Sequence, residues 1–600
     1  QFPKIAARLG MNGLEVTDPY VERLLEGVGF LAARVQLKLD AEFPRFTQAL
    51  LEIIYPHYLA PTPSMVVAQL QPDKSDPSLV SGRTVPRGSS MHSVLAADDV
   101  TACEFRTAHD VTVWPIELVS ASYFSFAPDL PLTRLPIASR IKGGVRLKLK
   151  AAPGVKFSKM PIDRLCFYLT GRDDVANKLY ELCLGNALGV LALTQSTRSP
   201  NYEFVPKAHI RPVGFSDDQA LLPVTLRSFQ GYRLLNEYFS FPQRFRFVEI
   251  AGLERAVQET AADVIELVVL LGRGDGALDG VVDASNFALF CTPAINLFQK
   301  PRLDRIHVAD STHEFHVVAD RTRPLDFEIY QVTEVVGHGA GADSEQTFLP
   351  FYATYSSDND QNRAYFTIRR EPRLVPLEQR RRGTRSSYIG SEVFLALVDS
   401  AQAPFNADLR QLSIQALCTN RDLPLLMPIG LGKSDLSLNI AAPVASIRII
   451  TGPTRPAPAL ADGAVAWRAI SHLALNYLSL VNTTPQEGAA ALRELLELYA
   501  ASAEISAKRQ VEGIRSVKVD RVVRRLPASG PIAFGRGLEI TLEVDELAFE
   551  GGSAYLLGAV LDQYFARYVS INSVTETVLR SQSRGEISRW MPHWGGRPTL

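Results

Sequence analysis

Between Asp18 and Leu59 the chain carries two consecutive helical runs that are apolar on more than one side. Asp18-Pro19 opens the first, with a side-chain oxygen for the N-cap and then proline at the first helical position, where no amide donor is missed. Val21, Leu24, Leu25, Val28, Leu31 with Ala32, Val35 and Leu39 follow the i, i+3, i+4, i+7 spacing of one helical face. Phe30 and Leu37 fall off that stripe. The second run, Phe43 to Ile54, ends in Tyr55-Pro56. A pair this apolar has two surfaces to bury. Both can lie inside one domain, as most apolar helical stripes do, or one can belong to another subunit. The second reading makes the segment an assembly element, since the stiff linker Ala60-Pro61-Thr62-Pro63 sets it off from the rest of the chain.

After the linker the texture changes to short β-branched or aromatic runs between turn residues: Met65–Leu70, Cys103–Phe105, Val111–Val113, Ile116–Tyr123. Val145–Lys150 alternates strictly, as a half-buried strand does. Helices are predicted at Val175–Leu184 and Arg227–Phe239. From Phe245 to about Ala442 strand follows strand, including Val264–Leu271, Glu314–Val318, Phe327–Val332, Tyr365–Arg369, Val393–Val398 and Leu412–Cys418. No repeat of 20–50 residues is present, which argues for antiparallel sandwich-like domains over a propeller or solenoid. Beyond Ala445–Thr451 the order is helices at Trp467–Leu480 and Glu487–Tyr499, strands at Ile514–Val523 and Leu538–Val544, a helix at Ser553–Tyr568 and a strand at Ser573–Leu579. That β-α-β-β-α-β order points to a ferredoxin-like unit. The fold class is α+β, in four segments: 1–60 helical, 61–225 β-rich, 226–444 β-rich, and 445–600 α+β with a docked tail.

With 63 basic against 64 acidic residues, no overall field favours nucleic acid or an anionic membrane. The five cysteines (Cys103, Cys166, Cys183, Cys291, Cys418) are odd in number, far apart and set among apolar neighbours, which suits buried thiols in a reducing compartment. No apolar run reaches the ~18–20 residues of a membrane span.

Signatures of catalysis and ligand binding are weak. Gly430-Leu431-Gly432-Lys433-Ser434 lacks the glycine a phosphate loop needs five residues ahead of Gly432-Lys433, where Met427 stands, and a strand-like run comes after it. His313 and His316, with His307 nearby, sit in strand-like sequence, where positions i and i+3 point to opposite faces. The acidic pairs Asp173-Asp174 and Asp545-Glu546 flank predicted elements, as caps do; paired carboxylates on β-rich domains keep a carbohydrate-binding or glycoside-processing protein as the rival reading. Arg369-Arg370, Arg373, Arg380-Arg381-Arg382 and Arg385 form the only basic cluster. With only Tyr388 nearby it lacks the aromatics of a single-strand groove. It is either a solvated loop or a contact for an acidic patch on a partner. The tail Arg584–Leu600 carries Trp590 and Trp594, which as a free end would expose large apolar area; docking on a surface is expected.

The run DPYVERLLEGVGFLAARVQLKLDAEFPRFTQALLEIIYPHYLAPTPS, together with CEFRTAHDVTVWPIEL, GYRLLNEYFSFP, CTPAINLF, CTNRDLP, WRAISHLALNYLSL and RGLEITLEVDE, resembles the TssF (VasA/ImpG) family over the whole chain and in order. The family is a baseplate subunit of the bacterial type VI secretion system. The resemblance implies a structural role without catalysis or cofactors, and a further helical segment ahead of Gln1. It implies assembly with TssG and a second TssF copy into a wedge that engages TssK and surrounds the VgrG hub. It also implies a cytoplasmic baseplate at the inner face of the bacterial inner membrane, without direct membrane insertion, nucleic acid or small-molecule substrate. Val21, Leu24, Leu25, Val28, Leu31, Val35 and Leu39 would then meet partner helices. Arg380, Arg381, Arg382, Trp590 and Trp594 are further candidate contacts.

Overall fold

Six short strands from distant parts of the chain close a barrel. Its order is Cys291–Ile295, Met65–Pro72, Val444–Thr451, Leu436–Leu438, Ser90–Ser93 and Glu104–Thr107, the last returning to the first. This computed structural model describes the chain outside residues 1–10, 13–14, 17–18, 96–99, 196–199, 226–227, 301–302, 310–311, 340–344, 352–363, 375–384, 400–404, 407, 460–483, 501–504, 526–533, 572 and 597–600. Met65–Pro72 shows why its sequence is apolar without alternation. Val66, Ala68 and Leu70 enter one core while Met65 and Val67 enter another, so both faces of the strand are covered.

Beside the barrel stands a five-stranded antiparallel sheet ordered Pro200–Pro206, Ala187–Gln195, Val264–Leu271, Gly143–Ala151, Ile116–Phe124. Here alternation is kept: Val145, Leu147 and Leu149 are buried, Lys148 and Lys150 exposed. A four-stranded sheet runs Ile210–Val213, Phe247–Ile250, Leu165–Leu169, Phe287–Leu289. Helix Asp173–Gly185 packs close to both sheets.

Residues 298–419 form a module inserted between two barrel strands. Its strands, from Phe298–Lys300 through Leu409–Thr419, Glu328–Gly339, Glu345–Pro350, Ala364–Pro372 and Ser391–Asp399 to Phe315–Val317, enclose a separate core containing Val335, Phe348, Phe366, Leu395 and Ile414. The four-stranded sheet joins Ile210–Val213 to Phe247–Ile250, and the barrel joins Met65–Pro72 to Val444–Thr451.

In the C-terminal part, Ile514–Arg525, Phe534–Val544, Val574–Ser581 and Gly585–Arg589 make a sheet whose middle pair is parallel. Helix Ala554–Tyr568 makes the crossover between those two strands, as parallel pairing requires. The ferredoxin-like expectation is corrected here. Its first strand, Val444–Thr451, pairs with Met65–Pro72 in the barrel, so a main-chain partner far away in sequence claimed it. The predicted helix Trp467–Leu480 lies outside the described residues.

The two N-terminal helical runs are also corrected: they are one helix, α1 (Pro19–Ile54), 36 residues long and continuous through Pro44. Among later helices, α2 (Gln230–Ser240), α3 (Pro485–Ala500) and α4 (Ala554–Tyr568) meet near its foot. Tyr232 of α2 is the hub. Its ring centroid lies 5.6 Å from Tyr55, 6.4 Å from Tyr499 and 6.1 Å from Tyr564, with Phe229 at 5.0 Å. Aromatic rings at such spacings contribute roughly 0.5–1.5 kcal/mol per pair beyond area burial.

Candidate assembly interface

At 1.5 Å per residue α1 is about 54 Å long, and among its described residues only those of the C-terminal end are embedded. Thr47 and Leu51 are buried on it, followed by Tyr55, His57, Tyr58 and Leu59. The foot also packs against the Ala364–Pro372 strand of the inserted module. His57 Nδ1 lies 3.2 Å from the Tyr330 hydroxyl of that module. From Tyr20 to Phe46 every described side chain is exposed, on all sides of the helix. Leu24 (69%), Val28 (56%), Leu31 (61%) and Val35 (60%) form the stripe the spacing predicts, Tyr20 continues it one turn ahead of Leu24, and Phe30 stands off it; both are also exposed. Burying a Val, Leu or Phe side chain contributes about 1.5–3 kcal/mol, and most of that is unrealised at the described apolar positions of this part of α1. The side chains of Val21, Leu25 and Leu39 lie outside the described residues.

The foot is held by more than apolar contact. Glu237 of α2 is fully buried; its Oε1 accepts from the Leu221 and Leu222 amides at 3.1 and 3.0 Å and from Arg233 Nη1 at 3.0 Å. Arg244 donates to its Oε2. Burial alone would push the Glu237 carboxyl up, but the Arg244 and Arg233 guanidiniums hold it below the usual range. Arg233 in turn reaches Asp217 at 2.8 Å. Tyr232, Arg233 and Glu237 all belong to the GYRLLNEYFSFP stretch, which therefore fixes the base of the projecting helix.

A family model described as "Type VI secretion system, TssF" matches residues 1–597. The chain belongs to the TssF family. It is 54% identical to a Pseudomonas aeruginosa protein, "Type VI secretion system component TssF1", over 100% of this chain and 96% of that one. Two solved structures share the fold. A chain of a TssK-TssF-TssG baseplate subcomplex aligns with a TM-score of 0.71 at 23% identity, covering 96% of this chain and 100% of that chain. One from a type VI secretion baseplate complex aligns with 0.57 at 22%, covering 99% and 96%. Among the described residues of this TssF-family chain, no helix is long and apolar enough to cross a membrane.

Of the other candidate residues, the described Trp590 and Trp594 belong to the C-terminal fold and are not gathered with α1. Arg380, Arg381 and Arg382 lie outside the described residues. Their neighbour Arg385 is pinned by Asp326 (2.8 Å) and Asp422. Trp590 belongs to the C-terminal fold, 5.4 Å from Tyr555 between ring centroids and packed over Gly558. Trp594 is 41% exposed on the two-residue strand His593–Trp594, which pairs with Val574–Ser581.

The residues with catalytic or ligand-binding patterns serve structure. The Gly430 amide donates to Asp435 Oδ1 at 2.7 Å, and the strand Leu436–Leu438 comes next. His316 stacks on Phe394 with centroids 4.9 Å apart. Asp173 pairs with Arg246 at 2.7 Å, and Asp545 accepts from the Leu547 amide at 3.1 Å and pairs with Arg515 at 2.7 Å. All five cysteines are free thiols, and burial pushes Cys183 and Cys418 up to about 12.

The reading of a single basic cluster is corrected by Arg521, Arg524, Arg525 and Arg536 on the strands Ile514–Arg525 and Phe534–Val544. The signal was present in sequence: from Arg521 to Leu538 there is no acidic residue.

Proposed function

We propose that this chain is a non-catalytic structural subunit of the type VI secretion baseplate wedge. It assembles there with TssG, a second copy of itself and TssK around the VgrG hub, at the cytoplasmic face of the inner membrane, and primes sheath assembly. Membership of the TssF family supports the setting. The observation that carries the role is the projecting part of α1, whose Leu24, Val28, Leu31 and Val35 form an apolar stripe in solvent. Among the described residues nothing covers this stripe, and helices of other chains, packed against it by ridges and grooves, would supply the burial. The partners' helices are its proposed occupants.

The test is the double substitution Val28→Asp, Leu31→Glu in full-length chain co-expressed with TssG and TssK. Both sites are exposed, so the isolated chain should keep its stability within about 0.5 kcal/mol, while co-purification with TssG is lost. Retained binding refutes the proposal, and so does a chain that unfolds on its own.

A further inference from the structure

The strands Ile514–Arg525 and Phe534–Val544 outrun the sheet that holds them. The third strand begins at Val574, opposite Gly537. Past that point Val523↔Arg536, Arg524↔Gly535 and Arg525↔Phe534 are paired only with each other. The result is a two-stranded ribbon extending about 10 Å beyond the sheet, at ~3.4 Å per residue.

Its two faces differ. Directly paired residues share a face and alternate residues return to it. One face therefore carries Arg524, which bonds Glu539 at 2.6 Å and also Glu576. The other carries Arg521, Val523 and Arg525 on one strand, with Arg536 and Phe534 on its neighbour. Nearer the sheet this second face is ordinary core, with Val517, Ile540 and Leu542 buried. Towards the ribbon's end all five residues are exposed, Val523 at 63% and Phe534 at 68%. Among the described residues none of the three arginines has an ion-pair partner.

We infer that this ribbon face docks an acidic segment of a partner protein. Arginine without a counter-ion, on a rigid strand pair, presents a planar fork that matches carboxylates bidentately. Phe534 and Val523 between the guanidiniums supply the apolar contact that excludes water around such pairs. Arginine beside an aromatic is the composition of an energetic centre in protein interfaces. A ribbon that binds single-stranded nucleic acid would instead need several aromatics for stacking, and among the described residues Phe534 is the one aromatic on this face. The inference goes beyond the wedge role, because the ribbon belongs to the C-terminal sheet and not to α1.

The test places a photo-reactive benzoylphenylalanine at Val523 of the full chain, expressed in cells that make the whole secretion system. The expected result is a protein adduct whose cross-linked peptide is rich in Asp and Glu. Its yield should fall at least tenfold in the Arg521→Glu, Arg525→Glu, Arg536→Glu chain, with melting temperature and TssG co-purification retained. An adduct on a peptide without carboxylates overturns the inference, as do an adduct to nucleic acid or lipid, an adduct that survives charge reversal, and no adduct. A failed wedge reading would show separately, as absent TssG binding by the unsubstituted chain.

Discussion

Tyr55, the first residue after the long helix, lies with its ring 5.6 Å from that of Tyr232 in α2, at an interplanar angle of 56°. Through this pair α1 is joined to α3 and α4, because Tyr232 also meets Tyr499 and Tyr564. Tyr232→Ala removes the shared ring. A cost of about 3–5 kcal/mol is expected, as for large aromatic truncations in cores. Limited proteolysis should then cut between residues 54 and 64 faster than in the parent chain; an unchanged pattern would show that the helix is anchored elsewhere.

Glu237→Gln should be among the most damaging single changes. It leaves Arg244 buried without its carboxylate and Arg233 with Asp217 alone, and breaking such a pair costs roughly 3–5 kcal/mol. The same network sets an acid limit. A carboxyl held below its unfolded value of about 4.3 contributes stability that is complete above that pH and is lost as the pH falls through the folded value. Thermal melts between pH 3 and 7 should show this loss in the parent chain. A substituted chain that melts like the parent at pH 7 would remove the network from the account.

Gly558 of α4 faces the indole of Trp590. A Cβ there would stand 2.8 Å from the ring's Cη2 and 3.1 Å from Leu579 Cδ2. In an exposed helix Gly→Ala is worth about 1 kcal/mol of stabilisation; here the sign should reverse, because the ring must move. Once Trp590→Ala has removed the ring, adding Gly558→Ala should cost little more. Melting of the four chains of this double-mutant cycle measures the coupling; additive losses would contradict the packing.

His593 Nε2 sits 3.1 Å from Asp562 Oδ2. The hydrogen bond to Asp562 raises the imidazole above its usual value, against the lowering by burial. A raised histidine stabilises the folded state fully below its unfolded pKa of about 6.5, and that contribution disappears as the pH climbs through the raised value. The strand His593–Trp594 should therefore be held most tightly under mildly acidic conditions. Hydrogen exchange of the Gly595 amide, which donates to Ser573 O at 2.9 Å, followed from pH 5.5 to 8.5, should speed up beyond the intrinsic trend. In Asp562→Asn that excess should vanish, and a parent profile without it would argue against the link.

Local periodicity was enough to encode part of this protein. The helical stripe Leu24, Val28, Leu31, Val35 comes from 3.6 residues per turn, and Val145, Leu147, Leu149 against Lys148 and Lys150 from the two-residue repeat of a half-buried strand. Family-like stretches along the chain also carried the TssF resemblance.

Which strands meet was settled only in three dimensions. Met65–Pro72 pairs with residues more than 200 and more than 370 positions away, and no local pattern encodes a partner at that distance. The same competition for main-chain partners moved Val444–Thr451 out of the expected C-terminal unit. The fusion of Pro19–Ile54 into one helix was equally invisible, since apolar spacing does not report where a helix stops when no cap or glycine marks the break. Whether an apolar face is core or interface is likewise not written in its spacing. Val28 and Leu51 read alike as apolar helical positions. Yet Val28 is in solvent while Leu51 is buried on the same helix, because the body of the protein ends between them.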